Sequence, residues 1–135
     1  MRMPLNVALQ KNLPPYAKQL GITITEATSD KIVAELLVTE AHSNGLGTMH
    51  GGALMAWADT MGAIGTIVNI PRSAQTTTLE SKTNFVSAGR VGTVLTAEAT
   101  PIHRGKTTQV WQTRITRPDG KLVALITQTQ LVMQQ

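Results

Sequence analysis

The sequence predicts an α+β domain in which one antiparallel β-sheet wraps around a long central α-helix. An apolar run from Ala53 to about Asn69 has the length of a helix and is apolar almost all round, which is typical of a helix buried on most sides. After Pro71, segments with strand periodicity alternate with turn residues. No internal repeat divides the 135 residues, so we predict a single domain over 1–135.

The first 20 residues are predicted to be an N-terminal helical segment in two pieces. Pro14-Pro15 ends the first piece and can begin the second, and Gly21 is well placed to end that one. Isoleucine then alternates with threonine over 22–25, which is the period of a strand. A turn leads into a second strand over 31–39, so we expect a β-hairpin.

The central helix follows a polar loop, Glu40 to Met49, and Pro71 ends it. Gly62 and Gly65 lie inside the helix, where each glycine costs roughly 1 kcal/mol relative to alanine. We expect that their lack of side chains permits the close approach of another backbone.

Four long strands are predicted for the rest of the chain, over 76–86, 91–102, 106–117 and 122–133. Pro118-Asp119-Gly120 is a strong turn before the last of them. A sheet of this size is the one element that can cover a helix that is apolar all round, which gives the predicted architecture.

Composition limits the classes of function. With 41% hydrophobic and 15% charged residues the chain fits a globular protein, and Asp59 interrupts the one run that approaches the length of a membrane span. The N-terminus lacks the apolar block of a secretory signal. The absence of cysteine excludes disulfides and thiolate chemistry. We therefore expect a cytoplasmic protein with no membrane partner.

Charge is unevenly distributed along the chain. Residues 1–81 carry five basic and six acidic groups, a net of −1, whereas residues 82–135 carry seven basic and two acidic groups, a net of +5. The basic residues are scattered and few aromatic residues are present for stacking on bases, so we expect no nucleic-acid partner. A small phosphorylated ligand or simple surface solubility would account for the bias.

Asp59 is the single acidic or basic residue, histidine aside, between Glu40 and Arg72. A carboxylate in so apolar a segment is costly to bury unless another group pairs with it or a reaction uses it. From the residues alone, a catalytic and a structural role are equally open.

The segment from Asn44 to Gly52 leads into the N-terminus of the central helix. The first N–H groups of a helix have no partner within it and carry partial positive charge. Gly51 and Gly52 leave room for a ligand oxygen to reach those donors, and His50 and Asn44 can add hydrogen bonds. This pattern predicts a site that stabilises negative charge developing on a carbonyl oxygen.

Gly51 and Asp59 are too far apart along one helix to act on the same carbonyl group. Eight residues correspond to about 12 Å along the axis and about 80° around it. Either the two features are unrelated, or two copies of the chain pack these helices antiparallel and Asp59 of one meets Gly51 of the other. If the protein is an enzyme, the spacing predicts a two-fold dimer.

The motif from Asn44 to Gly52, followed by Asp59, resembles that of the hotdog-fold acyl-CoA thioesterases of the phenylacetic-acid-degradation type. The resemblance extends from about residue 20 to the end and includes later segments at Thr78, Asn84 to Val86 and His103 to Trp111. It implies a hotdog fold and hydrolysis of an acyl- or aryl-CoA thioester to a carboxylic acid and coenzyme A. The coenzyme A thioester would be the substrate, with no separate cofactor.

The resemblance also implies roles for individual residues. Asp59 would be the nucleophile, or the general base that activates water. The Gly51 N–H would polarise the thioester carbonyl, His50 and Asn44 would orient the thioester, and Thr78 would assist Asp59 or the water. Some relatives carry glutamate at the position of Asp59, so direct attack and attack through water both remain open.

Two further groups of residues are predicted to bind the substrate. Those along the helix would line the acyl pocket, although the methionines equally suit a core: Gly52, Met55, Trp57 and Met61. The second group falls near the positions where relatives hold the phosphates of coenzyme A, and it equally suits a tight turn between strands: His103, Arg104 and Lys106.

Other chemistries fit the sequence less well. The spacing of the three histidines and Asp59 matches no recognised set of metal ligands, so we expect no metal. No Gly-x-Ser-x-Gly elbow is present for a serine hydrolase. Two alternatives remain beside the thioesterase: a hotdog dehydratase or hydratase on acyl thioesters, and a non-catalytic module that binds acyl thioesters. Self-association as a homodimer or a homotetramer is expected.

Overall fold

The structure, a computed structural model, describes residues 2–134. The helices are α1 (Leu5–Lys11), α2 (Pro15–Leu20) and α3 (Gly51–Val68), and a short 3₁₀ turn spans Glu40–His42. The strands are β1 (Thr23–Thr28), β2 (Lys31–Leu37), β3 (Gln75–Phe85), β4 (Val94–Arg104), β5 (Thr108–Thr116) and β6 (Leu122–Met133). The predicted order of elements is confirmed, and Gly21 ends α2 in the left-handed conformation with φ 82°.

The six strands form one sheet in the order β1-β2-β4-β5-β6-β3, with every neighbouring pair antiparallel. Its concave face wraps around α3, as predicted. Trp57 and Met61 of the helix pack into one core with Trp111, Ile115 and Ile126 of the sheet. Full burial of each such side chain contributes roughly 1.5–3 kcal/mol, so the contact between helix and sheet is the main source of stability.

The two edges of the sheet differ. At the β1 edge, Gln10 of α1 takes the place of a neighbouring strand: its Oε1 accepts the Ile24 N–H at 2.7 Å and its Nε2 donates to Ile22 O at 3.1 Å. At the β3 edge, within residues 2–134, the backbone groups of the strand pair with β6 alone. The outer side of β3 is therefore open.

One stripe of α3 is uncovered. Gly52, Met55 and Asp59, spaced three and four residues apart, are exposed, whereas eight other residues of the helix are buried. The helix begins at Gly51 rather than Ala53 because His50 caps its first turn. Asp59 lies on the side of α3 that its own sheet does not cover.

The two glycines inside α3 face side chains of the sheet. A Cβ at Gly62 would lie 2.3 Å from Cδ of Gln128, and a Cβ at Gly65 would lie 2.7 Å from the Trp111 ring. The prediction that another backbone approaches these glycines is therefore wrong. They admit two large side chains of the same chain instead.

The loop before β4 binds the loop before α3, so β4 begins at Val94 and not at Val91. The Val91 N–H donates to Gly47 O at 2.9 Å, and the Met49 N–H donates to Gly89 O at 2.7 Å. These bonds take the place of sheet pairing and hold the approach to α3 in one conformation.

The predicted turn between β5 and β6 is confirmed. Arg117 forms an ion pair with Asp119, and the Lys121 N–H donates to Asp119 Oδ1 at 3.0 Å. The hydrogen bond from Arg117 is the largest cause that lowers the pKa of Asp119, and the bond from Lys121 adds to it. In the described part of the chain, none of the helices is both long and apolar enough to cross a membrane.

Candidate active site

His50 caps the first turn of α3. Its Nδ1 accepts the Gly52 N–H at 2.7 Å, so in the neutral ring the hydrogen is on Nε2. A Cβ at Gly52 would lie 2.9 Å from that Nδ1, so glycine at this position is what allows the imidazole to fold onto the helix end. Nε2–H remains as a donor for another molecule.

Gly51 supplies the one N–H of the first turn that has no acceptor among residues 2–134. The Gly52 N–H is bound by the His50 ring, and the Ala53 and Leu54 N–H groups both donate to His50 O. The Gly51 N–H carries the partial positive charge of a helix N-terminus, so it is suited to bind a carbonyl oxygen. Its predicted role in polarising the thioester carbonyl stays a prediction.

Asn44 holds the loop that leads to this helix end. Its Oδ1 accepts the Leu46 N–H at 2.8 Å, and its Nδ2 donates to Thr48 Oγ1 at 2.9 Å. The His50 N–H donates to His42 O at 2.8 Å, which brings the two ends of the loop together. The observed contacts of Asn44 are those of a turn residue, and its predicted role in orienting the thioester stays a prediction.

Asp59 and Thr78 are in contact, although 19 residues separate them. The Thr78 hydroxyl, on β3, donates to Asp59 Oδ1 at 2.6 Å. Gln128, on β6, lies over Gly62 and directs its Nε2 at Asp59 O (3.3 Å) and at Oδ1 (3.5 Å). The carboxylate thus has its donors on one oxygen, and Oδ2 has no partner among residues 2–134.

Sequence reasoning missed the glutamines of β6. Gln128 and Gln130 are fully buried, and both occupy inward positions of the strand, among Ile126 and Val132. Buried amides need partners, and here the two Nε2 groups find them in Asp59 and Thr78, whereas Gln128 Oε1 has none among residues 2–134. The signal in the sequence is a pair of glutamines, two positions apart, on the side of a strand whose other residues are apolar.

The family model of the thioesterase superfamily matches residues 46–124, a segment that contains Gly51, Asp59 and Thr78. The chain belongs to the thioesterase superfamily. It is 35% identical over 106 residues to the 1,4-dihydroxy-2-naphthoyl-CoA hydrolase of Listeria monocytogenes, covering 78% of this chain and 85% of that one. The activity of this thioesterase is thioester hydrolysis, as the resemblance implies.

Solved structures show the same fold. A thioesterase from Haemophilus influenzae superposes with a TM-score of 0.90 at 28% identity, covering 98% of this thioesterase and 93% of that chain. The E. coli PaaI protein from the phenylacetic acid degradation operon superposes with a TM-score of 0.83 at 29% identity, covering 93% and 89%. The predicted hotdog fold and the resemblance to thioesterases of this type are confirmed.

One chain of this thioesterase does not bring Gly51 and Asp59 together. Both lie on α3, about 12 Å apart along the helix axis, and both are accessible from the side that the sheet leaves uncovered.

The predicted phosphate-binding group lies at the opposite end of α3 from Gly51. Arg104 donates to Ser29 O at 2.9 Å and to Asp30 Oδ1 at 2.8 Å, and it reaches Asn69, which caps the C-terminus of the helix. The 18 residues of α3 separate the two ends by about 27 Å. Within one chain, His103, Arg104 and Lys106 are therefore remote from the carbonyl-binding donors.

The predicted pocket residues divide into two classes. Trp57 and Met61 have no exposed surface and belong to the core, so a role in lining the pocket finds no support in the single chain and stays a prediction. Met55 is 37% exposed and lies between Gly51 and Asp59 on the uncovered stripe.

A cleft of about 810 Å³ opens beside the capped helix end, with His50, Gly52 and Ala53 on one side and Tyr16 and Leu37 on the other. The cleft therefore adjoins the His50 ring that caps α3. Among the residues that the structure describes, no group of three or more histidine, aspartate or glutamate side chains could hold a metal ion. The expected absence of a metal stays a prediction.

Proposed function

We propose that this thioesterase hydrolyses acyl- or aryl-CoA thioesters at sites that two copies of the chain share. The observation that carries the proposal is the uncovered side of α3. Asp59 is exposed with one carboxylate oxygen unpaired, and the unpaired N–H of the half-buried Gly51 lies about 12 Å away along the same helix. Each is half of a site for acyl transfer, and a second copy supplies the missing half.

The spacing on the helix defines how two copies would meet. If α3 packs antiparallel on its symmetry mate with Asp59 beside Gly51 of the partner, the two-fold axis passes midway between these positions, at Met55. Met55 is exposed, so an apolar side chain is available at the centre of the contact. The symmetry gives two identical sites for each dimer.

The open edge of β3 supports the same arrangement. An edge strand of 11 residues with unpaired backbone groups invites pairing with another strand. Three apolar side chains at or next to this edge are more than half exposed: Leu79, Phe85 and Val86. The Phe85 ring lies about 3.1 Å from the Cβ position of Gly51, so the edge and the helix end adjoin. A copy that paired along β3 would also cover the stripe of α3.

The chemistry follows from the paired geometry. The thioester carbonyl oxygen would accept hydrogen bonds from the Gly51 N–H and from His50 Nε2–H, which stabilise the oxyanion as it forms. Oδ2 of Asp59 from the other subunit would face the carbonyl carbon. As a general base, the carboxylate takes a proton from water while the water oxygen attacks. The C–S bond then breaks, and the thiolate of coenzyme A takes up the proton.

Direct attack by Asp59 leads to the same products. The carboxylate oxygen would bond to the acyl carbon, the C–S bond would break, and coenzyme A would leave from a mixed anhydride on the enzyme. Water would then hydrolyse the anhydride to the carboxylic acid and regenerate Asp59. Thr78 would hold the other carboxylate oxygen in either route.

Coenzyme A as the thiol is supported by the name of the Listeria relative and by the basic C-terminal half of the chain. In the antiparallel arrangement the Asn69 end of the partner's helix would lie about 15 Å from Gly51. The Asn69 end of the helix that carries this Gly51 lies about 27 Å from it, so the partner's end is the closer one. Arg104 and its neighbours His103 and Lys106 of the partner would then be available for the phosphates, at the far end of the pantetheine arm. We place the enzyme in the cytoplasm, as a dimer or a dimer of dimers.

A panel of acyl- and aryl-CoA thioesters tests the proposal by release of free thiol. We expect the wild type to release coenzyme A and Asp59→Ala to lose at least about a hundredfold in kcat, as loss of a general base or nucleophile does. Asp59→Asn, which keeps the shape of the side chain, should lose as much. Equal thiol release by wild type and Asp59→Ala would refute the mechanism.

A further inference from the structure

Gln130 makes an ordered set of hydrogen bonds that the reaction as described does not use. Its side chain is fully buried on β6. Nε2 donates to Thr78 Oγ1 at 2.6 Å, and Oε1 accepts the Thr76 hydroxyl at 2.9 Å. Thr78 in turn donates to Asp59 Oδ1 at 2.6 Å. The series runs from β3 to β6, back to β3 and then to the carboxylate.

The direction of each bond follows from counting hydrogens. A hydroxyl has one hydrogen, so Thr78 can accept from Gln130 and donate to Asp59, but it cannot donate to both. The Asp59 carboxylate can only accept, so the Thr78 hydrogen is directed at it and the Gln130 amide must turn its NH₂ group towards Thr78. The Thr76 hydroxyl lies 2.9 Å from Gln130 Oε1 and also 2.9 Å from Leu131 O, so it is compatible with this orientation. A reversed amide would present Oε1 to Thr78 and compete with Asp59 for the only hydrogen.

We propose that Gln130 is a positioning residue, which acts through Thr78 to keep Asp59 Oδ1 occupied so that Oδ2 is the reacting oxygen. The proposal rests on the proposed function, in which Asp59 is the reacting carboxylate. Without Gln130, the Thr78 hydroxyl is free to rotate among its staggered positions, and the carboxylate loses its fixed orientation. Preorganisation of this kind affects the chemical step and leaves substrate binding unchanged.

Gln109 on β5 is a matched control. It is directly opposite Gln130 in the register between β5 and β6, and it is buried to a similar degree. Its Oε1 accepts from Trp111 Nε1 at 2.9 Å, and neither Thr78 nor Asp59 bonds to its side chain. Replacing either glutamine by methionine removes a buried amide of the same size from the same region of the core.

The experiment compares Gln130→Met, Gln109→Met, Thr78→Val and the double variant Gln130→Met with Thr78→Val. Each is assayed for kcat and KM on one CoA thioester and for Tm. We expect Gln130→Met to lower kcat about tenfold with KM within about twofold of wild type. Gln109→Met should lower Tm comparably and leave kcat unchanged. In the Thr78→Val background, Gln130→Met should cause no further loss of kcat.

Several results would overturn the proposal. One is a loss of kcat from Gln130→Met that is the same in the wild-type and in the Thr78→Val background. Another is a loss of kcat from Gln109→Met as large as that from Gln130→Met. A third is an unchanged kcat in Thr78→Val, with Asp59→Ala inactive: this refutes the positioning role and leaves the proposed function intact. If Gln130→Met does not fold, Gln130→Leu takes its place in the same comparison, and an unchanged kcat in that variant refutes the proposal.

Discussion

At the scale of the residue, the catalytic proposal depends on one backbone N–H. Gly51 is the first residue of α3, where proline is tolerated because that N–H has no partner in the helix. His50 has φ −59° and ψ 137°, which is the conformation preferred before a proline. The N–H of Gly51 can therefore be removed with little change to the backbone.

Gly51→Pro should lower kcat about 10²–10³-fold, the usual cost of losing one oxyanion donor. Gly51→Ala is the matched control: it places a Cβ against the Phe85 ring, about 3.1 Å away, as proline would, but it keeps the N–H. We expect Gly51→Ala to retain most of the activity in a thiol-release assay. Equal kcat values for the two variants would show that the N–H is not the donor.

The residues of the site were only partly predictable from sequence. Gly51, His50 and Asp59 stand out because their local surroundings are unusual for their types. Gln128 and Gln130 do not, because their significance depends on contacts with residues 69 and 52 positions away along the chain. The resemblance implies that Asn44 orients the thioester, whereas its observed hydrogen bonds are those of a turn residue.

At the scale of the element, two glycines of α3 admit two side chains of the sheet with different consequences. Gln128 lies over Gly62 and directs its amide at Asp59, whereas Trp111 lies over Gly65 and contributes to the core. The same substitution at these two positions therefore separates stability from catalysis.

Gly62→Ala should lower both Tm and kcat, because its Cβ would be 2.3 Å from Gln128 and would displace that amide from Asp59. The clash should outweigh the gain of about 1 kcal/mol in helix propensity. Gly65→Ala should lower Tm and leave kcat of the folded enzyme near wild type. A Gly62→Ala enzyme with normal kcat would show that Gln128 has no part in orienting the carboxylate.

The type and order of the elements were predicted from strand periodicity, from the apolar run of α3, and from the prolines and the glycine around α1 and α2. Two boundaries that differed are fixed by hydrogen bonds to residues outside the element. β4 starts at Val94 because Val91 binds the Gly47 loop, and α3 starts at Gly51 because the His50 ring caps it. Neither contact has a periodic signature.

At the scale of the whole molecule, the two edges of the sheet differ in how far other parts of the chain bond to them. Gln10 of α1 bonds to the backbone at the start of the β1 edge, whereas the β3 edge and the stripe of α3 that carries Asp59 are uncovered. This accounts for an acid within an apolar helix. Asp59 is on the face that its own sheet does not cover, and the partner proposed for that face brings the carbonyl-binding donors.

The most direct test of a shared site is complementation between Gly51→Pro and Asp59→Ala, unfolded and refolded together in equal amounts. Each variant alone should be inactive. In a shared-site dimer half of the molecules are mixed, and each mixed dimer has one intact site out of two. The mixture should therefore recover about a quarter of wild-type activity. If each site lies within a single chain, the mixture stays as inactive as its two components, and that result would contradict the account.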